Sequence, residues 1–151
     1  MKLSLLFLSV LLAIIISCNK DKLTTVPQVT VKSISPSTVF SGDIITMKGK
    51  YTDKEGDIDT ILVVYKWYNG ATVVRKDTFR YPFSSLNVPA KTQDADMDVT
   101  FEYNTNNHPD LKFLPGVFPK DTTGTLGLIL KDKAGNRSNY SESDQIRLKK
   151  P

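Results

Sequence analysis

The stretch IDTILVVYKWYNGATVVRKDTFRY, residues 58–81, decides the fold class of this chain. Its first half, residues 58–68, is rich in β-branched and aromatic residues, which predicts a central strand that is buried on much of both faces. Asn69-Gly70 follows, and these two residue types tolerate the positive φ angles of a type I′ turn. Residues 71–81 are therefore expected to return antiparallel, so the stretch predicts a β-hairpin.

Segments with a two-residue apolar period recur on both sides of this hairpin, and no stretch holds the 3.6-residue period of a helix. Residues 82–92, with two prolines, are expected to form a loop or a short edge strand, and residues 104–121 a long connection. Further strands are predicted near residues 29–35, 45–51, 97–103, 126–130 and 138–149. About seven strands separated by frequent turn signals predict an antiparallel β-sandwich.

Two stretches resemble bacterial immunoglobulin-like domains. SISPSTVFSGDIITMKG, residues 33–49, is similar to the opening of domains of the IPT/TIG and polycystic-kidney-disease-like sort, and KDKAGNRS, residues 131–138, resembles the turn before their final strand. Trp67 falls on the third predicted strand, as the core Trp of immunoglobulin domains does, although the single Cys excludes their inter-sheet disulfide. The resemblance implies an all-β, immunoglobulin-like antiparallel β-sandwich of about seven strands over residues 29–151.

The first eighteen residues predict export. Lys2 is followed by an apolar run over residues 3–16, which as a helix would span about 21 Å and is too short for a bilayer core of about 30 Å. A cleaved signal segment fits this length better than a permanent span. Ile15-Ile16-Ser17-Cys18 resembles the lipobox of bacterial lipoprotein signal peptides, with an aliphatic residue, a small residue and then Cys.

By that resemblance, residues 1–17 are a signal peptide and Cys18 becomes a lipidated N-terminus carrying a diacylglyceryl group and an amide-linked acyl chain such as palmitate. Two or more acyl chains hold a protein stably on a membrane. Residues 18–28 would then be the lipidated terminus and a polar tether. Asn19, rather than Asp, implies sorting to the outer membrane of a Gram-negative cell envelope, in a leaflet that the sequence leaves open. The alternative is that Cys18 is an ordinary buried thiol.

Composition excludes several classes of protein. The formal net charge is +4 and the charges of opposite sign are interspersed, so neither nucleic acid nor anionic lipid is implied as a partner. One Cys cannot form an internal disulfide, and one His with one Cys cannot build a zinc site. Stability is therefore expected to come from packing.

An acidic turn follows the second predicted strand. Asp53, Glu55 and Asp57 crowd the sequence YTDKEGDID, and immunoglobulin topology brings the loop before the last strand, with Asp132 and Asn136, to the same end of the domain. Such hard oxygen ligands suit Ca²⁺, although the spacing is not that of an EF-hand loop. The alternative is a solvated turn in which Asp side chains cap the backbone.

An apolar run lies within the longest connection, in FLPGVF. Phe113, Leu114, Val117 and Phe118 are expected either to form a partner-binding loop or to fold back and plug the open end of the sandwich. The second alternative arises because an exposed apolar patch of this size favours aggregation.

Aromatic residues on the third strand and its hairpin partner allow two interpretations. Tyr65, Trp67, Tyr68, Phe79 and Tyr81 can stack on sugar rings if they share an exposed face, or form core and cross-strand pairs. The second arrangement is the commoner one.

Little in the chain predicts catalysis. His108 is the only His, it lies in a polar loop, and no nucleophile motif or Gly-rich phosphate loop accompanies it. We therefore expect no enzyme activity and no required cofactor beyond the covalent lipid, with Ca²⁺ as an optional ion. The function predicted first is a non-catalytic binding or accessory module for a protein or glycan partner, and the alternative is a structural or assembly component of an envelope complex.

Overall fold

The computed structural model describes residues 23–86, 88–117 and 120–150. The predicted signal segment and Cys18 lie outside these residues. Among the described residues, no helix is long and apolar enough to cross a membrane. The strands are β1 (Gln28–Ser35), β2 (Thr38–Val39), β3 (Ile44–Thr52), β4 (Ile58–Asn69), β5 (Thr72–Pro82), β6 (Asp94–Tyr103), β7 (Lys112–Leu114), β8 (Thr122–Asp132), β9 (Ser141–Glu142) and β10 (Ile146–Leu148).

These strands form two mixed sheets. One sheet has the order β1-β3-β6-β7, and the other has the order β2-β10-β8-β4-β5 with β9 paired to β8. Neighbours are antiparallel except for the pairs β6–β7 and β10–β2, which are parallel. The all-β prediction is confirmed, and the arrangement is consistent with a β-sandwich.

The β4–β5 hairpin forms as the sequence predicts. Gly70 has a φ of +60° in the turn, and β4 pairs antiparallel with β5 on one side and β8 on the other. Because β4 is central, Ile61, Val63 and Trp67 are fully buried. β5 lies at the edge of its sheet, and most of its residues are exposed.

The hydrophobic core lies between the two sheets. Its largest fully buried side chains come from both sheets and include Trp67 and Leu128 on one side and Tyr51 and Phe101 on the other. Burying such side chains is the main source of stability in a domain that contains no disulfide. The Trp67 indole donates a hydrogen bond to the Pro115 carbonyl oxygen at 3.1 Å, so its one polar atom is satisfied.

The chain after β8 differs from the prediction of one continuous last strand over residues 138–149. It forms only the short strands β9 and β10, and on either side of β9 serine side chains share the pairing with β8 with backbone groups. The Ser138 hydroxyl accepts from the Leu130 backbone at 2.8 Å, and the Ser143 hydroxyl accepts from the Leu126 backbone at 3.1 Å. The long connection also differs from the prediction, since it contains β7 beside β6, whereas residues 83–86 form a short 3-10 turn within the predicted loop.

Candidate functional site

Three acidic residues meet at one end of the domain. Asp53 directly follows β3, Asp57 directly precedes β4, and Asp132 is the last residue of β8. The antiparallel register of β4 and β8 pairs Ile58 with Asp132, which brings the β3–β4 turn to the end of β8. The meeting of these two loops was predicted from the sequence.

The geometry of the three carboxylates suits a cation of intermediate size. One oxygen from each of Asp53, Asp57 and Asp132 lies within 4.8 Å of the others. Ca²⁺ binds oxygen at 2.3–2.6 Å, so ligands on opposite sides of the ion are separated by about 5 Å. Asp53 and Asp132 are buried and Asp57 is half-buried, so the group is largely withdrawn from water.

Asp53 is fully buried, and within the described ranges one of its carboxylate oxygens is unpaired. Its Oδ2 accepts a hydrogen bond from the Asp57 backbone N–H at 2.9 Å, whereas its buried Oδ1 has no hydrogen-bond partner among the described residues. Burial raises the pKa of Asp53, and the nearby charges of Asp57, Glu55 and Asp132 raise it further. The hydrogen bond from the Asp57 backbone lowers this pKa, but it does not cancel the increase. A charged Asp53 is therefore electrostatically costly in this arrangement.

The other two predicted ligands have different positions. Asn136 donates its backbone N–H to Asp132 Oδ1 at 2.8 Å and its Nδ2 to Asp132 Oδ2 at 2.7 Å, so it orients that carboxylate. Glu55 is exposed and lies outside the three-carboxylate group, where it contributes only charge. The structure thus brings together three of the four predicted carboxylates, and Asn136 contacts one of them, Asp132.

A close backbone contact fixes the acidic turn. Gly56 has a φ of +63°, and a Cβ at this position would lie 2.6 Å from the Lys91 carbonyl oxygen. The Asp53 backbone N–H also donates to the Gln93 carbonyl oxygen at 2.8 Å. Residues 91–93 were not predicted to contribute, because the loop before β6 carries no sequence pattern that assigns it to the acidic turn.

The predicted contact loop is divided between core and surface. Leu114 is fully buried and Val117 is buried, as the plug alternative predicts for these two side chains. Phe113 is 48% exposed, so among the described residues of this run its side chain is the one that faces solvent. Phe118 lies outside the described residues.

A cleft of about 360 Å³ lies between the β4–β5 hairpin and the chain that enters β8. The cleft combines apolar surface with two cations, Arg75 and Lys120. Its lining consists of Trp67, Asn69, Val74, Arg75, Gly116, Val117, Lys120 and Thr122. No local sequence pattern marks the cleft, because the fold assembles it from two segments that are about 40 residues apart in the chain.

His108 lies beside a buried carboxylate rather than in this cleft. Its Nδ1 is 3.3 Å from Glu102 Oε2. Burial alone would raise the pKa of Glu102, but hydrogen bonds from the Thr105 hydroxyl and the backbone N–H groups of Asn107 and His108 lower the pKa to about 2. Glu102 therefore organises the loop after β6 as an acceptor that stays charged well below neutral pH.

The aromatic residues of the hairpin pack mainly inward. Tyr65, Trp67 and Tyr81 are buried, and the rings of Tyr65 and Trp67 lie 4.8 Å apart. Phe79 meets Phe101 of the opposite sheet edge-on at 5.7 Å. The core alternative is therefore confirmed for these side chains, so they do not form an exposed sugar-stacking face.

No protein-family model matches the chain, and no curated protein matches it significantly. The alkylpurine DNA glycosylase AlkC of Pseudomonas fluorescens, solved with DNA containing an abasic site analog, is 6% identical over 80% of this chain with a TM-score of 0.46. This chain covers 30% of that glycosylase chain. A Niemann-Pick type C2 protein from the Japanese carpenter ant is 12% identical over 83% of this chain and 93% of its own, with a TM-score of 0.45. Similarities at this level do not assign a function.

Proposed function

We propose that this chain is a lipid-anchored envelope protein that holds a protein or glycan partner at the membrane without catalysing a reaction. The observation that carries the proposal is Cys18, placed directly after an apolar run and the residues Ile15-Ile16-Ser17. In this proposal residues 1–17 are removed, Cys18 is acylated, and residues 18–28 tether the domain to the outer membrane of a Gram-negative cell.

The order of the strands supports an immunoglobulin-like sandwich as the body of this protein. In this proposal, the strands in the order β10-β8-β4-β5 take the roles of the G, F, C and C′ strands of an immunoglobulin domain, and those in the order β1-β3-β6 take the roles of A, B and E. Trp67 on β4 then occupies the position of the core Trp on strand C. β7 departs from the pattern, because it follows β6 in the chain and pairs with it in parallel. Sandwiches of this kind present binding surfaces in loops and clefts on a rigid frame.

The cleft beside the hairpin supports a binding role. Its volume is in the range of small-ligand sites, and its apolar lining with two cations suits a partner that offers both an apolar group and an acidic or hydrogen-bonding group. Phe113, on the segment that leads to this cleft, adds an exposed aromatic contact.

The anchor is tested by labelling growing cells with radioactive palmitate. The unchanged chain should incorporate label and sediment with membranes, whereas Cys18→Ala should lose both properties. An unlabelled chain, or a Cys18→Ala chain that stays with membranes, would remove the anchor from the proposal.

The binding role is tested by chemical crosslinking of the membrane-bound full chain, followed by mass spectrometry and glycan detection on the recovered complexes. Arg75→Glu should lose the species that the unchanged chain captures, because it reverses a charge in the cleft. Lys76→Glu is the matched control, since it makes the same charge change at the next exposed position of β5, outside the cleft lining. Equal capture by all three chains would contradict a partner site in the cleft.

A second candidate function is a structural role in an envelope assembly. The observation that favours it is β5, an edge strand of 11 residues with most of its length exposed. Such an edge can accept a strand from another chain. In the crosslinking experiment, this role predicts that envelope components are captured through β5 and that Arg75→Glu does not reduce their capture. Neighbouring genes for secretion or envelope biogenesis, rather than for polysaccharide uptake, would agree with this role.

A further inference from the structure

We propose that Asp53, Asp57 and Asp132 form a Ca²⁺ site that fastens the two sheets together at one end of the domain. The site goes beyond the proposed partner-binding role, because it lies outside the cleft lining and requires neither the anchor nor a partner. Two independent observations carry it.

The first observation is the convergence of the three carboxylates. One oxygen from each lies within 4.8 Å of the others. Among the described residues, no Lys or Arg forms an ion pair with any of the three, although five other carboxylates of the domain are paired with Lys. Charges held this close in a buried place repel one another unless a cation compensates them.

The second observation is the orphaned oxygen of Asp53. The side chain is fully buried, yet Oδ1 has no hydrogen-bond donor within the described part of the chain. Buried polar atoms are almost always satisfied, and an unsatisfied carboxylate oxygen is costly. A bound cation would satisfy Oδ1 and compensate the charges of Asp57 and Asp132 at the same time.

The chemistry of the donors selects the ion. All three ligands are hard carboxylate oxygens, which favours Ca²⁺ or Mg²⁺ over the transition metals that prefer nitrogen or sulfur. Ca²⁺ tolerates irregular coordination geometry, whereas Mg²⁺ requires a nearly ideal octahedron of ligands and usually keeps several of its bound waters. Three carboxylates from two segments of the chain, with water completing the coordination shell, therefore suit Ca²⁺ better.

The position of the site gives the ion a mechanical role. Asp53 directly follows β3 of one sheet, whereas Asp57 directly precedes β4 and Asp132 ends β8, both strands of the other sheet. An ion shared by them would join the sheets where the backbone crosses between them. The segment that leads into β1 lies at this same end, because the Lys54 backbone N–H donates to the Thr24 carbonyl oxygen at 3.1 Å. Ca²⁺ would thus brace the end of the domain at which Thr24 and the start of β1 lie.

The test is a calorimetric titration of the purified, chelator-treated full chain with CaCl₂, together with thermal melting at increasing Ca²⁺ concentration. Binding should produce saturable heat and raise the melting temperature, because an ion that binds only the folded state stabilises it. Equimolar MgCl₂ should give a smaller shift. No heat and no shift at about 10 mM Ca²⁺, beyond the weakest protein sites, would overturn the proposal.

Asp57→Asn is the main variant, since the Asp57 backbone rather than its side chain makes the hydrogen bond to Asp53. It should fold, and it should weaken Ca²⁺ binding by at least about tenfold. Asp53→Asn should do the same and raise the melting temperature in the absence of metal, because it removes one of three repelling charges. Asp110→Asn, an exposed acid at the opposite end of β6, is the matched control and should bind Ca²⁺ normally. Unchanged binding by Asp57→Asn would contradict the site, whereas the palmitate and crosslinking results leave this test unaffected.

Discussion

Asn139 holds the edge of β1 by pairing with both backbone polar groups of Val29. Its Oδ1 accepts from the Val29 N–H at 3.0 Å, and its Nδ2 donates to the Val29 carbonyl oxygen at 2.8 Å. One side chain thus reproduces the two bonds of a neighbouring strand. The Ser141 hydroxyl continues the edge by accepting from the Val31 N–H at 2.8 Å. The segment after β8 therefore links the two sheets along β1.

Removal of this side-chain pairing should destabilise the domain. Asn139→Ala leaves both polar groups of buried Val29 unpaired, and we expect a loss of about 1–3 kcal/mol in the free energy of unfolding. Asn139→Asp keeps the acceptor and loses the donor, so its loss should be intermediate. Urea denaturation measures both, and equal stability of Asn139→Ala and the unchanged chain would contradict the role of this pair.

The two glycines of β8 should respond differently to Ala. A Cβ at Gly124 would lie 2.5 Å from Trp67 Cζ3 and 2.8 Å from Leu148 Cδ1, and both neighbours are fully buried. We expect Gly124→Ala to cost about 1–3 kcal/mol through overpacking, with a clear decrease in melting temperature.

Gly127→Ala is the matched comparison on the same strand. A Cβ there would lie 2.5 Å from the Tyr140 hydroxyl oxygen, but Tyr140 is 40% exposed and can rotate toward solvent. The rotation would give up the contact of Lys66 Nζ with the Tyr140 ring, at 4.9 Å, and the hydrogen bonds of the Tyr140 hydroxyl to Lys66 and Glu142, all of them near the surface. Gly127→Ala should therefore decrease the melting temperature less than Gly124→Ala does, and the reverse order would show that the outer face of β8 is the more rigid one.

The hairpin could be predicted from a local pattern, because Asn69-Gly70 tolerates the positive φ of its turn. The approach of Asp57 to Asp132 depends on the pairing of β4 with β8, which was expected only from the topology of immunoglobulin domains. The pairing of Asn139 with Val29 could not be predicted, because it joins residues 110 positions apart through a side chain. The same applies to the cleft, in which Arg75 and Lys120 meet only after the sheet has formed.

Two neighbouring residues of the apolar run in the long connection should differ in their contribution to stability. Leu114 is fully buried, so Leu114→Ala should cost about 2–5 kcal/mol in the free energy of unfolding. Phe113 is 48% exposed, so Phe113→Ala should change stability by less than about 0.5 kcal/mol. If the loop also contacts a partner, Phe113→Ala should reduce crosslinked complexes while leaving the melting temperature unchanged. A large loss of stability in Phe113→Ala would place that ring in the core instead.

Acid should destabilise the loop after β6 through Glu102. Its pKa is lowered to about 2 in the folded chain, whereas its ordinary value is near 4.5. A group whose folded pKa is depressed stabilises the protein at pH values above its ordinary pKa, and this contribution is lost as the pH falls through the folded pKa. We therefore expect the free energy of unfolding to decrease between about pH 4.5 and pH 2.

Glu102→Gln separates this contribution from that of other carboxylates. It should be less stable than the unchanged chain at pH 7, because the loop donors lose a charged acceptor, and the difference should vanish near pH 2 where Glu102 becomes protonated. Asn106→Ala, an exposed change in the same loop, should parallel the unchanged chain at every pH. Urea denaturation from pH 7 to pH 2 provides the measurement, and a constant difference between Glu102→Gln and the unchanged chain would show that packing, rather than the charge of Glu102, holds the loop.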